Sequence, residues 1–130
     1  MLDIDEQEQI LWVKELDDYV RQVHFIFNGL YVLAVTSGGK AYAFSKAGNN
    51  RLFNRQLHEG AIISSAVSYQ HNVLATGGED GKFLLSHLQT GEINYQFSES
   101  GKWIEHVSFN PNGNYVAFAC DKKEIGRAHV

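Results

Sequence analysis

One stretch of this chain is echoed on both sides of itself, and that repetition limits what the whole can fold into. From His58 to Gly91 the sequence runs HEGAIISSAVSYQHNVLATGGEDGKFLLSHLQTG, in which short apolar runs (Ile62 to Tyr69, Asn72 to Thr76, Lys82 to Leu88) alternate with compact polar links. The tightest link, Gly77-Gly78-Glu79-Asp80-Gly81, holds three glycines. β-Branched and aromatic residues suit strands, and glycine supplies the positive φ that a tight reversal needs, so the pattern is that of adjacent antiparallel strands.

The flanks follow the same plan. Upstream, Tyr19 to Phe27, Tyr31 to Thr36, Lys40 to Ser45 and Arg51 to Leu57 read as strands; Asn28-Gly29 is a two-residue hairpin signal, and Ser37-Gly38-Gly39 and Ala47-Gly48-Asn49-Asn50 are the later turns. Val73-Leu74-Ala75 stands 41 residues after Val32-Leu33-Ala34, and Gly91 stands 43 after Gly48. Downstream, Lys102-Trp103-Ile104 and Val107-Ser108-Phe109 open a third unit, Asn110-Pro111-Asn112-Gly113 turns it, and Tyr115-Val116-Ala117 lies 42 residues beyond Val73-Leu74-Ala75. Four short strands in 41 to 43 residues is the length of a propeller blade, a small sheet that cannot bury both faces alone and must stack on neighbours. The expected fold is all-β, a partial β-propeller of about two and a half four-stranded antiparallel blades plus an N-terminal strand. The leading strand is placed at 10–16, and the blades at about 17–58, 59–100 and, in part, 101–123.

These residues resemble the WD-repeat (Trp-Asp repeat) β-propeller family, and the chain looks like an N-terminal fragment with degenerate repeats. The central unit is similar to the family pattern without gaps from His58 to Gly81, with His58 before the first strand, Leu74-Ala75-Thr76-Gly77 as the small-residue run and Asp80-Gly81 in the hairpin. Val107 to Gly113 is similar to the strand and turn that usually read Val-x-Phe-Ser-Pro-Asp-Gly. The signature Trp-Asp pair would align with Ser86-His87, which does not match it. In the family a histidine, a strand Ser or Thr, the hairpin aspartate and the tryptophan form a buried hydrogen-bond chain. The resemblance implies that role for His58, Thr76 and Asp80, with Ser86 unable to supply the fourth member. A partial chain predicts looser outer strands. Leu16 and Ser100 stand near the histidine's place in the other two units.

The resemblance further implies a non-enzymatic protein-interaction scaffold in the cytoplasm. The links before each first strand and the aspartate-bearing hairpins would gather on one rim, making Tyr19, Ser37, Glu59, Glu79, Lys102 and Trp103 candidate partner-binding residues. Tyr19 and Trp103 stand at equivalent places just before Val20 and Ile104. Exposed aromatics anchor protein interfaces, whereas a tryptophan between blades is core. An alternative resemblance is to quinoprotein-like propellers, through Gly39-Lys40-Ala41-Tyr42-Ala43-Phe44 with Ala47-Gly48, and Gly81-Lys82-Phe83-Leu84-Leu85 with Thr90-Gly91-Glu92. That reading implies a cofactor-enzyme domain or an envelope assembly factor.

Other classes find little support. A formal charge of −4 offers no basic patch for a phosphate backbone, so nucleic acid is not an expected partner. The acidic start MLDIDEQEQ lacks the basic and apolar regions of a secretory signal, and no apolar run reaches membrane-spanning length, so no membrane partner is expected. Cys120 is the only cysteine, which excludes an intrachain disulfide. His24, His58, His71, His87, His106 and His129 show no short metal-binding spacing, and no nucleophile-elbow motif occurs. Gly77 to Gly81 lacks the lysine, hydroxyl and helix of a phosphate loop. No metal, cofactor or catalytic residue is assigned.

The last residues, Glu124-Ile125-Gly126-Arg127-Ala128-His129-Val130, break the expected strand pattern. Translated in one frame, the common short-read sequencing adapter yields this same peptide, so 124–130 is read as a non-native tail. Closed propellers need four to eight blades, so the remaining blades of a longer chain are expected partners, with Ile10 to Leu16 completing the last of them. Alone, the fragment exposes strand edges and is expected to associate.

Overall fold

The computed structural model describes residues 12–45, 47–48, 50–99, 101–121 and 123–130. All regular structure among them is β: β1 (Val20–Ile26), β2 (Tyr31–Thr36), β3 (Lys40–Ser45), β4 (Arg51–Gln56), β5 (Ile62–Ser68), β6 (Val73–Gly78), β7 (Lys82–His87), β8 (Ile93–Ser98), β9 (Ile104–Phe109), β10 (Tyr115–Cys120) and β11 (Glu124–His129). They form three antiparallel meanders, β1-β2-β3-β4, β5-β6-β7-β8 and β9-β10-β11. The fold is a partial propeller with two four-stranded blades and a three-stranded third.

The blades repeat with a step of 42 residues, as the ladders show: Phe25 pairs with Val32, Val67 with Leu74 and Phe109 with Val116. Val32 therefore corresponds to Leu74, and matching the two Val-Leu-Ala triplets at 41 is one residue out of phase. Side chains in a strand alternate faces, so such a slip exchanges the two sides of a blade, and only the pairing fixes the phase. The glycines 43 apart reflect turn geometry. The Gly48 N–H bonds the Ser45 carbonyl three residues back, whereas the Gly91 N–H bonds the His87 carbonyl four back.

Two apolar seams join the blades. The first packs Ile26, Leu33, Val35, Ala41, Ala43 and Phe53 of blade one on Ile62, Leu74, Leu84 and Leu88 of blade two. The second packs Ala75, Phe83 and Leu85 of blade two on Ile104, Val116, Phe118 and Cys120 of blade three. Alternate residues of β6 and β7 thus serve opposite seams. This is why VLATGG and FLL read as unbroken apolar or small runs rather than as polar-apolar alternation. Polar bonds on the innermost strands cross the same seams. Ser65 Oγ donates to Gln22 Oε1 at 2.7 Å and accepts from His24 Nε2 at 2.9 Å, while Ser64 and Ser68 donate to the carbonyls of Ile104 and Gly113. Ser65 gives its one proton to Gln22, so His24 must be the donor in the other bond. Burial lowers the His24 pKa below the ordinary imidazole value.

Three expectations need correction. The Asn28-Gly29 signal does not make a two-residue turn: Ile26 and Tyr31 are the last pair, and Phe27, Asn28 and Gly29 all take positive φ, with Leu30 N–H closing on the Phe27 carbonyl. Within the leading segment expected as strand 10–16, residues 12–16 form no strand, and residues 10 and 11 lie outside the described set. The segment lies against the outer part of blade one, where Trp12 meets the Phe44 ring and Lys14 Nζ sits 5.4 Å from its centre. Finally, 124–130 does not break the strand pattern. β11 pairs with β10 from Cys120↔Glu124 to Tyr115↔His129, because a backbone ladder asks little of side chains. Its side chains fit less well: where the third strands of blades one and two bury Ala41 and Phe83, β11 leaves Ile125 83% exposed.

Candidate interaction rim and the clasps beneath it

Each blade offers the same small arrangement at one end. The Ser37 N–H donates to the Tyr19 carbonyl, Glu79 to Ala61 and Asp121 to Trp103, at 2.8 to 3.0 Å, so the hairpin between second and third strands is tied to the link preceding the first strand. Tyr19, Ala61 and Trp103 are thereby equivalent, 42 residues apart, as are Ser37, Glu79 and Asp121. Adjacent blades meet closely here. A Cβ on Gly39 would strike the His58 carbonyl, and Gly39 also holds φ +87°, so no other residue fits this corner without strain.

Beneath the central turn lies a buried polar chain. His58 is 1% exposed; its Nδ1 lies 2.9 Å from Asp80 Oδ1 and its Nε2 lies 2.8 Å from Thr76 Oγ1. Burial pushes the imidazole pKa down, against the hydrogen bond and charge of Asp80, which pull it up. Burial alone would raise the Asp80 pKa, but bonds from His58 and from the Glu59 and Lys82 backbone N–H groups outweigh it and hold the carboxyl below its usual range. At neutral pH the pair is therefore a carboxylate beside a neutral ring. The carboxylate can only accept, so the ring proton sits on Nδ1 and Thr76 Oγ1–H donates to Nε2. The chain runs from Thr76 through His58 to Asp80, and Asp80 in turn accepts from the Glu59 N–H in the link before β5 and from the Lys82 N–H just after its own turn.

The 42-residue step places Leu16, Ala34 and Gly38 at the corresponding positions of blade one, none of which can build this chain. A different clasp fills the gap. Thr36 Oγ1 is 3.4 Å from Asp18 Oδ2, and the Asp18 carboxylate occupies the space that a Cβ on Gly38 would need. In blade three Phe118 stands at the Thr76 position and stacks on Phe83 at 4.3 Å, so apolar contact stands where blade two has a polar chain. Ser86, in the third strand of blade two, is 0% exposed and its Oγ has no hydrogen-bond partner. Removing an unsatisfied buried hydroxyl relieves a desolvation cost, so Ser86→Ala is expected to leave stability unchanged or raise it by about 0.5–1 kcal/mol in urea denaturation.

The six rim candidates fall into the three equivalent turns. Tyr19 (84% exposed) and Ser37 belong to blade one, Glu59 and Glu79 to blade two, and Lys102 and Trp103 (47% exposed) to blade three. Glu79 Oε1 accepts from the Ala61 N–H, and Lys102 Nζ reaches Glu124 at 3.0 Å and Glu99 at 3.9 Å. The sequence places Asp18 beside Tyr19 on the rim but gives no sign of its clasp role, which depends on the contact with Gly38; the equivalence of Asp121 to Glu79 emerges only from the 42-residue step. No group of three or more His, Cys, Asp or Glu able to hold a metal occurs among the described residues. No helix long and apolar enough to cross a membrane occurs among the described residues.

No family model matches the chain. It is 28% identical over 104 residues to "Eukaryotic translation initiation factor 3 subunit I" of Aspergillus fumigatus, covering 80% of this chain and 30% of that protein. The protein of the same name from Neosartorya fischeri matches to the same extent. The chain thus spans about a third of the length of these curated relatives. Among solved structures, U3-55K superposes with a TM-score of 0.80 at 11% identity over 90% of this chain and 38% of that one. The computationally designed Ika4 protein superposes with a TM-score of 0.72 at 17% identity, over 85% and 66% respectively. At such identities these likenesses speak for the fold alone.

Proposed function

We propose that the chain is a section of a non-enzymatic, cytoplasmic WD-repeat-like scaffold whose rim, through Tyr19, Ser37, Glu59, Glu79, Lys102 and Trp103, docks a protein partner, while His58, Thr76 and Asp80 stiffen the turn that carries it. One observation carries this reading: Tyr19 and Trp103, equivalent residues two blades apart, both leave large aromatic surfaces in solvent beside the same tied turn of their blades. The word "subunit" in the relatives' name also favours protein partners.

The leading segment supports ring closure with blades beyond this chain. Trp12 covers Gly48 on blade one as Phe53 and Arg55 of β4 cover Gly91 on blade two, which is the place an outer strand of a preceding blade would take. In the same reading, 124–130 is adapter-derived, and its poorly buried Ile125 replaces whatever the native third strand supplies. The test is Trp103→Ala in the longer protein. Partner pulldown should weaken while the melting temperature stays put; a fall of many degrees would make Trp103 a packing residue and remove the interface.

A further inference from the structure

At the end of the blades opposite the rim, the chain holds two Asn-Gly pairs, Asn28-Gly29 and Asn112-Gly113, in equivalent turns of blades one and three. An asparagine before glycine carries a latent reaction. The backbone nitrogen of the next residue can close a five-membered ring on the side-chain carbonyl carbon, and glycine puts no side chain in its path. The other asparagines are followed by residues with side chains, or by Pro111, which has no N–H.

The two pairs are held very differently. The Gly113 N–H donates to the Asn110 carbonyl at 2.9 Å, and Asn112 Oδ1 accepts from Asn110 Nδ2 at 3.0 Å and from the Asn114 N–H at 3.4 Å. Gly113 is buried, its carbonyl accepts from Ser68 Oγ of blade two, and a Cβ there would strike the same hydroxyl, so this peptide has little room to turn. At Asn28-Gly29 these restraints are missing. Among the described residues no hydrogen bond holds the Asn28 amide or the Gly29 N–H, and the turn closes only from the Leu30 N–H to the Phe27 carbonyl. Asn28 is exposed, and nothing lies within 4 Å of where a Cβ on Gly29 would stand.

We propose that Asn28 is a site of spontaneous deamidation, and that the hydrogen bonds around Asn112-Gly113 protect Asn112 from the same reaction. The Gly29 nitrogen gives its proton to hydroxide and attacks Asn28 Cγ; the N–Cγ bond forms, the Cγ–Nδ2 bond breaks, and ammonia leaves a succinimide ring behind. Water then opens the ring at one of its two carbonyls. Opening at the side-chain carbonyl gives aspartate, and opening at the main-chain carbonyl gives isoaspartate, which adds one carbon to the backbone. Either product places a carboxylate where turns 27–30, 69–72 and 111–114 carry no Asp, Glu, Lys or Arg. Isoaspartate also lengthens a turn in which Phe27, Asn28 and Gly29 all hold positive φ, so the hairpin of blade one changes in shape as well as in charge.

The test ages the chain as it stands at mildly alkaline pH in water enriched in heavy oxygen, and follows both pairs by peptide-mapping mass spectrometry. Asn28 should convert about tenfold faster than Asn112 or more, taking up one solvent oxygen per event, because a bonded amide reacts only through local opening. In guanidinium chloride, with the turns unfolded, the two rates should agree within about twofold. Asn110→Ala, which removes a bond to Asn112 Oδ1, should speed conversion at Asn112 and leave Asn28 as it was. Asn28→Gln, whose longer side chain closes the ring poorly, should abolish the mass gain in its peptide. Equal rates in the folded chain, or faster conversion at Asn112, would overturn the inference. So would a folded chain that stays intact at Asn28 while the unfolded chain reacts at both pairs, since turn 27–30 would then be protective.

Discussion

Phe83→Ala is expected to lower the stability of the fold by about 3–5 kcal/mol, the usual cost of emptying a large buried aromatic site. Phe83 is 0% exposed, stacks on Phe118 of the next blade at 4.3 Å and meets Tyr95 edge-on at 6.3 Å. It is the largest fully buried side chain in the seam between blades two and three. The void left behind opens between two sheets that each need the other to cover their apolar face, so neither can close it alone. Urea denaturation measures the loss. A cost below about 1 kcal/mol, the level of a surface change, would mean that the seam is not a packed interior.

His58→Ala should follow, at about 2–4 kcal/mol, because two buried groups lose their partner at once and truncation leaves a gap. Thr76 Oγ1 and Asp80 Oδ1 would both be left without the ring, and the Asp80 caps on Glu59 and Lys82 would loosen with it. The clasp of blade one provides a scale: Asp18→Ala breaks a single 3.4 Å contact and should cost less than about 1 kcal/mol. The same chain dictates a pH response. The folded pKa of His58 lies below that of the free imidazole, near 6.5, so between those values the unfolded chain binds more protons and stability falls as pH drops below about 6.5. His24 acts in the same direction. The depressed Asp80 carboxyl adds a second loss, as pH falls below the free carboxyl value near 3.8 toward its folded value. Melting temperatures at pH 7.5 and 5.5 should therefore differ more in the parent chain than in His58→Ala; equal differences would remove His58 from the titration.

Much of this fold could be read from residues alone. β2 and β3 begin and end where Tyr31 to Thr36 and Lys40 to Ser45 were placed, because Thr-Ser-Gly-Gly and Gly-Leu punctuate them sharply. The phase of the repeat could not be read as easily. Val32-Leu33-Ala34 and Val73-Leu74-Ala75 are identical in type, and apolar residues fill both faces of a blade's middle strands, so period-two alternation that would expose a slip is missing. The turn after β1 misled for a related reason. Asn28-Gly29 does supply positive φ, but Phe27 adopts it too, which its sequence type gives no cause to expect. At the rim, Tyr19 and Trp103 were visible as equivalents because each directly precedes its strand. The Asp18 clasp was not, since it compensates for the absence of a histidine through a contact with the bare backbone of Gly38.

Sheets of like design shelter one another's faces, with β6 and β7 at the centre of the stack. Native-state hydrogen exchange followed by mass spectrometry tests this most directly, since amides exchange last where both faces are covered. Protection should be greatest in 73–78 and 82–87, which lie between the two seams, and should be far lower in 93–98 at the outer edge of blade two and in 20–26, whose Val23 and Phe25 face solvent. Equal protection across all four segments, or slowest exchange in 20–26 or 93–98, would contradict the stacked-blade arrangement.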